Sequence, residues 1–537
     1  MIRDVLAEAL AAALDALGVS PRPDEIHLER PARREHGDWS SNIALASAKA
    51  AGRNPRELAQ QIVDTITADP PAHVESVEIA GPGFVNFRLA PSWLHDVLTE
   101  VIEAGSDRYS RLDLGTGTTV NIEYVSANPT GPLHAGGGRW GAFGDSLARI
   151  FERCGYGVQR EYYVNDRGVQ MGLFGKSLLA RKNLEELPED GYAGAYVGDW
   201  SKEMPDGLDE AGAAAWGRDR ALADVRDALQ SMHVEFDHWA SEKALVEAGA
   251  MEAALAELTD GGYIEDRDGA TWLRTTDFGD DQDRVLIKSD GEPTYFVPDI
   301  AYHRDKFTRG DLVIDILGAD HHGYVGRMKA AMQMLGHPAD AYEVIIGQNV
   351  TLMRGGEEVR LSKRTGTMVE VRELIDAVGP DVARFAYLLQ SIDTRQTIDI
   401  DLLSKQANEN PVFYVQYAHA RIQSIGREAG SRGIERAPLT EVDLGRLTHE
   451  RELEVLRLLS ALSETLEVAL RERAPHKVST WVRDLASAFH GFYHDCPILR
   501  TDVEEPLRQA RLWLVEGARI GLAIGLDLLG VSAPEEM

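Results

Sequence analysis

Two short stretches carry the residue types that phosphate chemistry needs. In residues 128–141 (NPTGPLHAGGGRWG), His134 stands just before Gly136, Gly137 and Gly138. The preceding residues 118–125 (TTVNIEYV) are rich in β-branched and aromatic side chains, as strands are, and Pro129 and Pro132 end that pattern. Beyond the glycines, Trp140, Phe143, Leu147, Ile150 and Cys154 recur at steps of three and four, the apolar stripe of an amphipathic helix. The first N–H groups of a helix and its dipole attract a polyanion, and glycines let that anion approach the backbone. His134, at the mouth of this turn, has a ring that can donate to a phosphate oxygen. Taken alone, such a turn is just as well a tight connection without a ligand. The second stretch, residues 360–367 (RLSKRTGT), groups Arg360, Lys363 and Arg364 around Ser362, with Gly355, Gly356 and Gly366 on either side. A glycine-bounded basic loop suits a phosphate group that is grasped and then released, although such a loop by itself is more often a solvated surface loop.

These groups need elements to hold them. The chain has 537 residues, enough for two to four domains with ample cores. Residues 1–112 alternate helix-like and strand-like patterns: Leu58, Ile62 and Ile66 share a helix face, and Val85, Phe87 and Leu89 alternate after a Gly81-Pro82-Gly83 turn. Residues 113–385 alternate strands and helices, with apolar runs such as 312–317 (LVIDIL) and 344–346, the order of a doubly wound parallel sheet. An acidic, glycine- and alanine-rich region, 188–218, reads as a surface insertion. From 386 to 537 helix formers dominate, and Leu459, Leu462, Leu466 and Leu470 follow at steps of three and four, which predicts a helical bundle.

Composition bounds the rest. Hydrophobic content of 44% and charged content of 27% are those of a globular chain, and an apolar run long enough for a membrane span is lacking. The N-terminus carries acids within its apolar pattern and reads as an amphipathic helix with Leu6, Leu10 and Leu14 in register, unlike a signal peptide. Two cysteines, Cys154 and Cys496, make neither a disulfide framework nor a zinc set, and cytoplasmic residence is expected. The net charge of −31 speaks against nucleic acid as a partner, since binders usually neutralise phosphates. A local basic face can coexist with an acidic total. Candidates are 30–36 (RPARREH), the 360–364 loop, and Arg471, Arg473 and Lys477.

Together, HAGG at 134–137 and RLSKR at 360–364 resemble the His-x-Gly-His and Lys-Met-Ser-Lys-Ser signatures of class I aminoacyl-tRNA synthetases. Further segments in order narrow the resemblance to the arginyl-tRNA synthetase family: 123–137 (EYVSANPTGPLHAGG), 162–170 (YYVNDRGVQ), 294–303 (TYFVPDIAYH), 318–330 (GADHHGYVGRMKA) and 410–422 (NPVFYVQYAHARI). Residues 36–45 (HGDWSSNIAL) and 80–89 (AGPGFVNFRL) match the extra leading domain of that family. The resemblance implies a Rossmann-like catalytic domain, an N-terminal α/β domain contacting the tRNA body and a C-terminal anticodon-binding bundle. It implies attack of arginine's carboxylate on the α-phosphorus of ATP, then transfer of the arginyl group to a terminal ribose hydroxyl of arginine tRNA. ATP would arrive with Mg2+, tRNA would be required for activation, and the enzyme would work as a monomer away from membranes.

The same resemblance assigns roles residue by residue. His134 would bind the ATP phosphates beside Gly136, Gly137 and Gly138, and Lys363 would hold the departing pyrophosphate with Ser362 and Arg364 as auxiliaries. A guanidinium is a planar fork of donors best met by carboxylates. Glu123, Tyr295 and Asp299 match the family's guanidinium site, Ser126 and Asn128 would take the amino-acid backbone, and His321 would lie near the α-amino group or the ribose. Asp320, His321 and His322 are adjacent in sequence and make a poor metal set, so no structural zinc is expected. Two departures stand out: Gly137 replaces the second signature histidine, and Arg360-Leu361 replace lysine and methionine. Losing one donor aimed at a transition state typically costs about 3 kcal/mol. An idle RNA-binding relative is the competing reading, which His134 and Lys363 oppose. A cysteine or glutamate synthetase would need a zinc cluster or substrate-facing cations instead.

Overall fold

The computed structural model describes residues 2–19, 26–31, 33–359, 369–405 and 410–537, with the side chains of 320–322 excepted. The chain divides into two compact units, one of Met1–Gly105, Arg432–Ser460 and Ala488–Ala518, the other of Ser106–Ser431, Ala461–Ser487 and Arg519–Met537.

In the first unit, an antiparallel sheet runs in the order Leu28–Glu29, Trp39–Ser41, Phe84–Leu89, Val74–Ala80. Asn54 caps the helix Pro55–Ala68 by accepting the N–H of Arg56, and Pro55 takes the first helical position, where its missing N–H is no loss. Leu58, Ile62 and Ile66 of that helix are buried, as are Val85, Phe87 and Leu89 of the strand and Leu6, Leu10 and Leu14 of the helix Ile2–Ala16. The basic run near residue 30 is engaged within the unit: Arg34 pairs with Glu450 at 2.5 Å and Arg30 donates to Ser460 at 3.1 Å. The helix Glu450–Ser460 thus packs in the same unit as the N-terminal sheet, a division that the three segments 1–112, 113–385 and 386–537 do not anticipate. Periodicity shows which face a helix buries and not what lies across from it.

The second unit is built on a five-stranded sheet, Tyr342–Gly347, Leu312–Gly318, Thr119–Glu123, Gly157–Val164, His238–Ser241, every neighbouring pair parallel. Chain order runs outward from Thr119–Glu123 in one direction, then returns to its other side, so the switch point lies between Thr119–Glu123 and Leu312–Gly318. Ligands of doubly wound sheets sit at that point, off the carboxyl ends of the strands. The helix Ala135–Arg153 follows the central strand. Its Phe143, Leu147 and Ile150 are buried, as is Cys154 at its C-cap, and burial pushes the Cys154 thiol up to about 12. Gly144 lets the helix lie on the strand: a Cβ there would fall 2.2 Å from the Tyr124 ring. Region 188–218 has its own apolar cluster, in which Tyr192, Val197, Trp200, Met204 and Ala213 pack with Phe174 and Leu178. Leu459, Leu462, Leu466 and Leu470 are all buried, but the helix breaks at Ala461 into Glu450–Ser460 and Leu462–Arg471.

Candidate active site

Register places three acids side by side across the middle of the sheet. Glu123 is opposite Asp315 on one neighbour and Glu161 on the other. Like charges in adjacent register repel, and all three are buried. Two cations at the end of the helix Phe296–Lys306 and just after it neutralise them. Lys306, fully buried, pairs with both Glu123 and Asp315, while Arg309 grips Glu161 with two bonds of 2.8 and 3.1 Å. The Tyr302 hydroxyl donates to Glu123 at 2.8 Å and that of Tyr342 to Asp315 at 2.7 Å; His303 bridges Asp315 and the carbonyl oxygen of Asp299, each at 2.7 Å. Burial disfavours the Lys306 ammonium, but Asp315 and Glu123 outweigh it and hold it above the usual lysine range. Asp315 shows the mirror effect: burial raises it, and Lys306 and His303 pull it well below the usual carboxylate range.

This network floors an open cleft of about 910 Å³, lined by Glu123, Tyr163, Asp299 and Asp315 and also by His134, Trp140 and Gly318. Asp299 differs from its neighbours. Its side chain accepts a hydrogen bond from the Tyr324 hydroxyl, and no lysine or arginine pairs with it among the described residues. Burial therefore raises its pKa, against the hydrogen bond from Tyr324. Pro298 sits in the first turn of the helix Phe296–Lys306, where a missing N–H is tolerated. Tyr295, at the N-cap of that helix, is 89% exposed and does not line the cleft as it stands.

After the central strand, Val125 and Ser126 both adopt left-handed φ, +71° and +39°. Such geometry is costly for a β-branched residue and is typical of functional turns. It turns the Ser126 hydroxyl to accept the Tyr163 N–H at 3.0 Å, leaving its own O–H free to donate. Asn128 donates its amide to Gln170 at 2.9 Å, so its carbonyl oxygen remains an acceptor in the cleft.

His134 is the N-cap of the helix Ala135–Arg153, and its Nδ1 accepts the Gly137 N–H at 3.0 Å. An accepting Nδ1 carries no proton, so the neutral ring holds its proton on Nε2 and presents a donor there. The Ala135 N–H goes to the Val369 carbonyl at 2.8 Å. The helix start is therefore less open to an anion than its glycines suggest. Gly137 has a local reason too: a Cβ there would come 2.6 Å from Leu133. Trp140 is the exception in the apolar stripe, half-buried and facing the cleft.

Comparison with known proteins agrees along the whole chain. Residues 2–89 match the arginyl tRNA synthetase N terminal domain, 101–191 and 207–423 the class I (R) tRNA synthetase catalytic domain, and 415–537 the DALR anticodon binding domain. An arginine–tRNA ligase of Frankia alni is 48% identical over 529 residues, 96% of this chain and 95% of that one. The chain belongs to the arginyl-tRNA synthetases. In fold, it matches the Thermus thermophilus arginyl-tRNA synthetase with a TM-score of 0.80 at 23% identity, covering all of both chains. A Mycobacterium tuberculosis methionyl-tRNA synthetase is more distant, with a TM-score of 0.56 at 13% identity over 78% of this chain and 92% of that one.

Within this family setting, Glu123, Ser126, Asn128, His134 and Asp299 come together around one cleft. Ser362, Lys363 and Arg364 lie outside the described residues, as does the side chain of His321. The sequence reading missed Tyr302, His303, Lys306, Asp315, Tyr324 and Trp140. A signal for three of them was present. Asp299, Tyr302, His303 and Lys306 stand at i, i+3, i+4 and i+7, one helix face, and it is the buried face that carries the polar groups. Arg473, proposed for a basic patch, instead pairs with Glu343 at 2.9 Å.

Proposed function

We propose that this synthetase binds arginine across the acid-lined half of the cleft and ATP across the half beside His134. Arginine's carboxylate attacks the α-phosphorus, pyrophosphate leaves, and the arginyl group passes to a terminal ribose hydroxyl of arginine tRNA. The observation that carries the substrate assignment is Asp299. Glu123 and Asp315 share Lys306, whereas Asp299 is half-buried with a hydroxyl partner and without a side-chain cation among the described residues. An incoming guanidinium supplies that charge with planar donors. Glu123, held by Lys306 and Tyr302, presents its remaining edge to the same fork. Tyr295, one turn before Asp299, covers the substrate once it is seated. The Asn128 carbonyl oxygen takes the α-ammonium and the Ser126 hydroxyl a substrate oxygen, with His321 near the amino group or ribose.

The His134 Nε2–H donates to ATP phosphate as charge develops, which is where a preorganised donor is worth most. By the family resemblance, Lys363, with Ser362 and Arg364, neutralises the β- and γ-phosphates as pyrophosphate departs. Mg2+ enters on those phosphates; the floor carboxylates Glu123 and Asp315 are committed to Lys306 and do not fit a metal-ligand role. The enzyme acts as a monomer in the cytoplasm, and among the described residues no helix is long and apolar enough to cross a membrane. Charging of tRNA with labelled arginine tests this reading. Label should enter tRNA with arginine and not with lysine or citrulline, and equal charging by lysine would remove the guanidinium site.

A further inference from the structure

The nucleotide half of the cleft holds an aromatic ring that the family signature does not call for. Trp140 lies two helical positions after Gly138 and three, about one turn, after Gly137, the residue that stands in place of the second signature histidine. Its ring lies over the end of the strand Tyr342–Gly347. A Cβ on Gly347 would fall 1.9 Å from the ring, so glycine at 347 is what makes room for it. Gly347 is in register with Gly318, which itself lines the cleft. Gly347 thus lies under the indole, and Gly318 leaves a side-chain-free strand end in the cleft beside it. The wall is fixed. Arg139, fully buried, donates to the carbonyls of Gln348 at 2.6 Å and Ser391 at 2.9 Å, tying the start of the helix to the chain just after Gly347. Trp140 is half-buried.

We propose that Trp140 is a base-binding residue of the ATP site, whose indole packs on the purine and supplies the contact that Gly137 gives up. The proposal rests on the reading of this half of the cleft as the nucleotide site. Every base offers a π-face, and a large aromatic side chain beside a glycine floor is a surface that favours one. Phosphates are handled elsewhere, at the His134 ring, so the two contributions separate in experiment.

The test uses the full-length enzyme with arginine and arginine tRNA, comparing wild type, Trp140→Phe and Trp140→Leu in ATP–pyrophosphate exchange. Trp140→Leu should raise KM for ATP roughly tenfold to a hundredfold, the span of base–aromatic stacking, with KM for arginine nearly unchanged. Trp140→Phe, which keeps a ring, should recover most of the loss. Inhibition by adenosine should weaken in parallel with KM for ATP, and inhibition by tripolyphosphate should hold. An unchanged KM for ATP would overturn the proposal. So would equal weakening of adenosine and tripolyphosphate, which would make the ring a support for the helix start. If adenosine fails to compete with ATP in the wild type, the nucleotide reading of the cleft falls instead.

Discussion

In the proposed arginine site, recognition turns on one carboxyl group, that of Asp299. Burial raises its pKa from the ordinary value, and a bound guanidinium would favour its ionised form. Arginine binding should therefore expel a proton when the pH lies below that raised value. KM for arginine should fall as pH rises through the raised value and then level off. In the free enzyme the sign is opposite for stability: the fold favours protonated Asp299, so its contribution is full at acid pH and is lost as pH rises through the folded value. Asp299→Asn keeps size and removes charge. It should lower kcat/KM for arginine by roughly 10²- to 10⁴-fold, affect citrulline much less, and abolish this limb of the pH profile. Equal losses for both substrates would make Asp299 structural. Part of this was legible in the sequence, since a matched family motif pointed to Asp299. The raised pKa was not, because it depends on which groups the fold withholds from it.

At the scale of elements, one helix end neutralises three strands. Lys306→Met would leave Glu123 and Asp315 buried side by side without their shared cation. Removing one partner of such a pair typically costs about 3 to 5 kcal/mol, to be read from urea denaturation at neutral pH. The pH dependence should also invert. In the wild type, Asp315 is held below its ordinary value, so its stabilising share is present above the unfolded pKa and lost as pH falls through the folded one. In the variant both acids would be raised, and the deficit should shrink as the pH falls towards their protonation. A deficit constant with pH would contradict the charge account. A second element-scale prediction concerns Gly144, where a Cβ would meet the Tyr124 ring at 2.2 Å. Gly144→Ala should lower stability by about 1 to 3 kcal/mol by forcing helix and strand apart. Strands and helices were legible because apolar spacing is local. The row Glu161–Glu123–Asp315 was not, because register between strands distant in sequence is set by the whole sheet. The inward polar face of Phe296–Lys306 was there to be read, yet it defeats a reading that searches for apolar stripes.

For the whole molecule, composition alone misleads. A net charge of −31 argues against RNA, and the basic side chains first suggested for a local patch, Arg34 and Arg473, are paired with Glu450 and Glu343. The match of residues 415–537 to an anticodon-binding domain nevertheless makes tRNA the partner. The parallel sheet and its switch point followed from the order of patterns, whereas the two units cut across the sequence segments because packing partners leave no local trace. The central claim is that this cleft activates arginine at the expense of ATP, with tRNA completing the site. The measurement that tests it most directly is exchange of labelled pyrophosphate into ATP, with arginine, lysine or citrulline, in the presence and absence of arginine tRNA. Exchange should occur with arginine alone among the three, and little of it until tRNA is added. Exchange without tRNA would remove the tRNA requirement, and no arginine-dependent exchange in either condition would overturn arginine activation in this cleft.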